Sequence, residues 1–167
     1  MRLEDSQFTI IHNELKTTPL LSWEIVKLLL WDLEPNIFND LDKIAVENNW
    51  HFKYFMDSYS HFDGYSIVLV DLKLNICAAS SNIEEMTGYK REEVIGQTPS
   101  FLQGEETNVD SKFLLKIAID QEVPFHSRLV NYDRDGDLYG CEIHAFPIYN
   151  GFGKLSHYIA FEQIYCV

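Results

Sequence analysis

Three cysteines, six histidines and a dense set of carboxylates are the residues whose types could do chemistry in this chain. Cys77, Cys141 and Cys166 are odd in number and far apart, with no Cys-x-x-Cys pair, so neither a disulfide framework nor a zinc site is suggested. Cys141 falls within a strand pattern and reads as a packed, inert thiol, whereas Cys166 beside the C-terminus reads as exposed. His126, His144 and His157 fall on or at the start of predicted strands, and His51 and His61 flank the entrance to the region that follows. None stands at metal-ligand spacing with a partner. Ser80-Ser81 has no nucleophile-elbow context, and the expectation is a protein that is not an enzyme. The most distinctive polar stretch is the loop Gly96-Gln97-Thr98-Pro99-Ser100-Phe101-Leu102-Gln103-Gly104.

The 167 residues allow one compact domain plus an extension. With 46% hydrophobic and 14% aromatic residues the chain can build a core. A net charge of −13 repels phosphate backbones and anionic lipid, so the expected partners include no nucleic acid and no membrane. The polar, acidic N-terminus lacks a signal-peptide pattern, and the apolar run 25–33 is interrupted by Lys27 and Asp32 and is too short to span a bilayer. A reduced, cytoplasmic protein is expected.

Two segments of different character must position these groups. Residues 1–57 read as a helical extension. Ser22 is placed to cap a helix from Trp23, and Pro35 suits a first helical turn. Ile37, Phe38, Leu41, Ile44 and Ala45 recur at helical spacing up to a stop at Asn48-Asn49. A short third helix is expected to carry Trp50, Phe52, Tyr54, Phe55 and Met56. From residue 58 to 167 the pattern changes. Strands are expected over 66–71 and 75–79, then a helix opened by a Ser81/Glu84 capping box and ended by Gly88. Residues 91–95 form a further turn. Asn108 caps a longer helix whose buried stripe is Phe113, Leu114, Ile117 and Ala118. Three strands close the chain, at 125–133, 137–148 and 155–165, the first two joined at Asp135-Gly136.

This order resembles a PAS domain, and so do three local motifs. Ser81-Asn82-Ile83-Glu84-Glu85-Met86-Thr87-Gly88-Tyr89 is similar to the family's segment ending Thr-Gly-Tyr. Glu93-Val94-Ile95-Gly96 resembles its Glu-x-x-Gly turn, and Asn131-Tyr132-Asp133-Arg134-Asp135-Gly136 its hairpin. The resemblance implies an α+β fold: a five-stranded antiparallel sheet with helices on one face, here with an N-terminal helical cap. It also implies a space between sheet and helices that can hold a ligand, and Phe101, Gln103, Asn131 and Cys141 are the pocket candidates.

Within that family the loop is similar to that of the LOV flavin photosensors, since Gly96, Phe101, Leu102 and Gln103 match. The reactive cysteine is replaced by Pro99 and the phosphate-binding arginine by Ser100. The second flavin-contacting asparagine falls at Cys141, and the last-strand glutamine falls at Glu162 or is displaced to Gln163. A photoadduct needs a thiol beside the ring, so flavin is disfavoured. Haem is disfavoured because segment 108–120 contains no histidine. The cofactor therefore stays unknown. Pro19-Leu20-Leu21-Ser22-Trp23-Glu24-Ile25 and the stretch 139–148 are also similar to short, stand-alone bacterial PAS proteins.

The resemblance implies a sensory or regulatory module of bacterial signal transduction that binds a small ligand, a partner protein or both. Because the chain ends at its last predicted strand, a signal is expected to pass to a separate protein such as a kinase or regulator, or through a homodimer formed by the N-terminal helices or sheet face. One alternative is a pure interaction module, with Phe113, Phe125, Phe146 and Phe161 filling the core. Another is a flavin photosensor working without an adduct.

Overall fold

In the computed structural model, which describes residues 9–10, 21–30, 33–53 and 64–166, the N-terminal part begins with two short strands, β1 (Thr9–Ile10) and β2 (Leu21–Ser22). Helix α1 (Trp23–Val26) continues as a 3-10 turn through Leu29. Ser22 stands at its N-cap, but the hydroxyl makes no capping bond. Trp23, Val26 and Leu30 are buried, while Ile25 and Leu28 are exposed, so the apolar run is covered on one side. Helix α2 (Pro35–Asn48) has Pro35 in its first turn, and left-handed Asn49 (φ 47°) ends it. Its buried stripe is Ile37, Leu41 and Ala45.

The expected third helix is not formed at Trp50 and Phe52. His51–Phe52 is strand β3, which pairs with β2 and with Tyr149. Trp50 and Phe52 are buried beside Trp23, as alternating aromatic residues of an extended chain can be. Tyr54, Phe55 and Met56 lie outside the described residues.

The following strands are β4 (Ser66–Val70) and β5 (Ile76–Ala79), with left-handed Leu74 (φ 63°) in the turn between them. Helices α3 (Ile83–Thr87) and α4 (Arg91–Val94) precede a 3-10 turn at Pro99–Leu102. Helix α5 (Val109–Asp120) is capped by Asn108, whose Oδ1 accepts from the Ser111 amide at 3.0 Å. Strands β6 (Phe125–Tyr132), β7 (Leu138–Tyr149) and β8 (Leu155–Tyr165) complete the chain. The antiparallel sheet runs β5-β4-β8-β7-β6, and β1 adds to its β6 edge.

The Ser81/Glu84 capping box does not form. Asn82 is the N-cap residue of α3 and its side chain makes no cap bond. Ser81 is taken instead by Glu34, whose carboxylate accepts from the Ser81 amide at 2.9 Å and its hydroxyl at 2.6 Å. Arg91 pairs with Asp40, a second link between the N-terminal part and the helices beyond β5.

Alternation along the strands gives the sheet two apolar faces. Ile67, Leu69, Phe146, Ile148, Ile159 and Phe161 pack against Trp23, Leu30, Ile37, Leu41 and Trp50. Val68, Val70, Phe125, Ala145 and Tyr158 face α3, α4 and α5 through Ile83, Met86, Val94 and Ala118. The N-terminal cap thus covers one face and the later helices the other. Helix α5 lies rotated from expectation: Ser111 and Ala118 are buried, and Phe113 is 63% exposed. Phe146 and Phe161 lie on the cap side, so only Phe125 of the four phenylalanines borders the space under α5.

Candidate ligand cavity

A cavity of about 310 Å³ lies between the sheet and α5. Val68, Val70, Phe125, Leu129, Ile143, Ala145 and Ala160 form its sheet wall; Leu115 and Ile119 of α5 face them. The signature loop closes one side with Thr98, Pro99, Ser100, Leu102 and Gln103. Local geometry fixes that loop. The Gly96 amide, at φ 86°, donates to the Ile76 carbonyl at 2.8 Å, and the Ile76 amide returns a bond to the Gln97 carbonyl at 2.8 Å. At Gly104 a Cβ would collide with the Tyr132 ring, so the loop passes this strand only as glycine.

Of the four pocket candidates, Gln103 and Asn131 line this cavity. Phe101 borders a small adjoining nook and meets Tyr89 edge-on at 5.2 Å. Cys141 does not line the cavity: it is fully buried, and its Sγ donates to Glu162 Oε2 at 3.6 Å. Burial, reinforced by the Glu162 charge, pushes its thiol well above the ordinary value, so the sulfur is an inert packing group.

Three lining residues outside that set carry charge. Glu162 projects inward from β8, and burial pushes its carboxyl up to about 7. The turn after β4 contributes Lys73, and α5 contributes Lys112. Ser100 supplies no cation to the pocket, and both lysines reach it from other elements. For Glu162 a signal was present: counting by twos from Tyr158 through Ala160 places it on the cavity face. The lysines carried none, because a lysine on a turn or helix is usually solvated.

The polar end of the cavity is unusual. Asn131 and Tyr139 face each other across β6 and β7. Both are buried, Asn131 lines the cavity, and neither Asn131 Oδ1 nor the Tyr139 hydroxyl finds a partner beyond the other.

A second polar cluster occupies the opposite face. His126 Nε2 and the Arg128 guanidinium share Glu142 Oε1 at 3.0–3.1 Å, and Gln163 Nε2 donates to Oε2 at 2.7 Å. Burial opposes ionisation of Glu142, but the bonds from Gln163, His126 and Arg128 outweigh it and hold the carboxyl down at about 2. The His126 and His144 rings stack 4.2 Å apart with a 9° tilt. The sheet thus gives these histidines a grouping that their sequence spacing concealed, with ligand atoms of His126, Glu142 and His144 within 4.8 Å of one another. Parallel rings aim their in-plane lone pairs side by side, and Glu142 is already saturated by cationic and amide donors. The cluster is built as a hydrogen-bonded network.

Comparison with known proteins identifies the architecture around this cavity. The family model described as PAS domain matches residues 64–163. The chain belongs to the PAS domain family. A segment of 84 residues is 37% identical to the bacterioopsin transcriptional activator of Halobacterium salinarum, covering 50% of this chain and 12% of that protein. Another of 76 residues is 33% identical to the blue-light-activated histidine kinase of Brucella ovis, covering 46% and 16%. The similarity therefore spans a small part of either relative. Among solved structures, the Aureochrome1 LOV domain superposes with a TM-score of 0.60 at 22% identity, covering 67% of this chain and 90% of that one. The LOV domain of the Erythrobacter litoralis blue-light-activated histidine kinase gives 0.57 at 24%, covering 60% and 95%. These likenesses show the fold, and a sensing role follows from the family.

Flavin, the group the LOV likeness implies, meets a mismatched donor set in this PAS domain. Pro99 offers no thiol to the ring, and Cys141 is held beneath Glu162. The rim of a flavin ring is rich in carbonyl oxygens; the Asn131 amide, which matches the first flavin-contacting asparagine, can serve one, but Glu162 brings a buried carboxyl where the resemblance expects an amide.

Proposed function

We propose that this PAS domain is a cytoplasmic, non-enzymatic sensory module of bacterial signal transduction that holds a small molecule in the cavity under α5. The observation that carries this reading is the 310 Å³ space bordered by buried polar side chains, Asn131 and Glu162. Ligand sites combine a mostly apolar lining with a few placed polar groups, and this cavity has that composition. The family match and the names of the relatives, a kinase and a transcriptional activator, support a role in passing a signal onward. No helix among the described residues is long and apolar enough to cross a membrane.

Occupancy would bias how α5 and the cap sit on the two sheet faces, and a second copy or a separate signalling protein would read the difference. The ligand-free interaction module is the weaker reading, because a filled core does not account for the open volume. A light-reading role is favoured by the relatives' names alone and is opposed by Pro99 and Glu162. The deciding experiment is an absorbance spectrum of freshly purified protein with native and denaturing mass spectrometry. A released small molecule of defined mass supports the reading. A colourless protein whose native mass is polypeptide only, unchanged after incubation with bacterial extract, would count against it.

A further inference from the structure

We propose that the cavity selects an apolar amine or amino-heterocycle, a molecule whose N–H group is donated to Glu162. This deepens the ligand-sensor reading and rests on it. Glu162 is 7% exposed, and its hydrogen-bond partner among the described residues is the Cys141 thiol at 3.6 Å. A thiol is a weak donor, and a carboxylate taken from water needs strong donors or a cation. Lys73 and Lys112 border the same cavity, yet neither forms an ion pair with Glu162. Asn131, 5% exposed, borders the same end, and its enclosed amide oxygen faces the Tyr139 hydroxyl across the strand pair.

The Glu162 carboxyl on β8 and the Asn131 amide on β6 therefore stand at one end of an apolar chamber. A ligand that brings a carboxylate or phosphate to that end sets an anion against the Glu162 carboxylate. One that brings an N–H edge gives Glu162 the strong donor it lacks, and a basic nitrogen can also take up the Glu162 proton. The remaining wall, including Leu129, Ile143 and Ala160, suits an aromatic or aliphatic body. A volume of 310 Å³ lies at the lower end of ligand pockets, about 300–1,000 Å³, and restricts that body to a few fused rings.

The test uses the full chain and two probes of equal shape, 2-aminoquinoline and 2-methylquinoline, titrated calorimetrically at pH 7. The wild type is expected to bind the amine at least tenfold more tightly than the methyl analogue. Glu162→Gln should reduce that preference and Glu162→Met should abolish it, with circular dichroism melting confirming that each variant folds. Equal binding of the two probes, or a preference that survives in Glu162→Met, overturns the inference and leaves the ligand-sensor reading in place. If neither probe binds, native mass spectrometry of the fresh protein decides. A retained molecule with an N–H edge supports the inference, a retained molecule without one overturns it, and bare polypeptide overturns both the inference and the sensor reading.

Discussion

Glu162 and Gln163, adjacent on β8, serve opposite sides of the sheet: Glu162 lines the cavity, and Gln163 donates to Glu142 on the other face at 2.7 Å. The ambiguity over which of them takes the last-strand position is thereby resolved in favour of the carboxylate. A one-residue slip would exchange a buried acid for an amide.

The buried carboxyl makes stability depend on pH with a definite sign. Burial raises Glu162 from 4.5 to about 7, so the folded chain keeps a proton that the unfolded chain releases. The contribution is full below 4.5 and is lost as pH rises through 7. Glu162→Gln should therefore be more stable than wild type at pH 8 by about 1–3 kcal/mol, with the gap narrowing towards pH 4.5. Urea unfolding at pH 5 and pH 8 measures it.

The opposite face has the opposite dependence. Burial, and then the His126 charge, lower His144 from 6.5 to about 4, with Glu142 opposing and Arg128 assisting. Its contribution is full above 6.5 and is lost as pH falls through 4. Discounted for partial exposure, His144→Gln should remove about 1 kcal/mol of the acid-side loss. Thermal melts between pH 7 and pH 4 should show a flatter profile in the variant.

Trp50 is 1% exposed, meets Trp23 and Phe52, and donates to His157 Nδ1 at 3.3 Å. Trp50→Ala should cost about 3–5 kcal/mol in denaturant unfolding. A change under about 1 kcal/mol would mean that the cap contributes little to the fold.

Phe113→Ala should be nearly neutral, within about 1 kcal/mol, because its ring is 63% exposed. A buried stripe containing Phe113 would instead have implied about 3–5 kcal/mol. The same unfolding assay separates the two registers of α5.

Illumination of the protein mixed with flavin mononucleotide should give no reversible bleaching by thiol adduct. Pro99 has no sulfur, and the Cys141 sulfur is fully buried behind Glu162. Absorbance before and after a blue-light pulse reads the outcome.

Much of this architecture was legible because its punctuation is local. The Asn108 cap, Gly88 at φ 73° and the Asp135-Gly136 turn each satisfy a backbone requirement within a few residues. What failed was decided at a distance. Ser81 lost its capping role to Glu34, 47 positions earlier. Trp50 and Phe52 read as helix beside α2, while their alternation already fitted the strand that β2 and β7 recruit. At the site, Gln103 and Asn131 carried a motif, and strand period decided for Glu162 between the two last-strand positions that the resemblance left open. Lys112 belonged to an otherwise ordinary amphipathic helix.

The placement of the aromatic cap gives the molecule an optical consequence. Trp23 and Trp50 sit together on the sheet face away from the cavity. Indole emission from this pair watches the far side of the sheet, while a guest under α5 touches neither ring. A spectral shift of these two indoles on filling the cavity would have to cross the strands, so in a chain with Trp31, which lies outside the described residues, replaced by Phe, ordinary fluorescence can time the message as it passes through the protein.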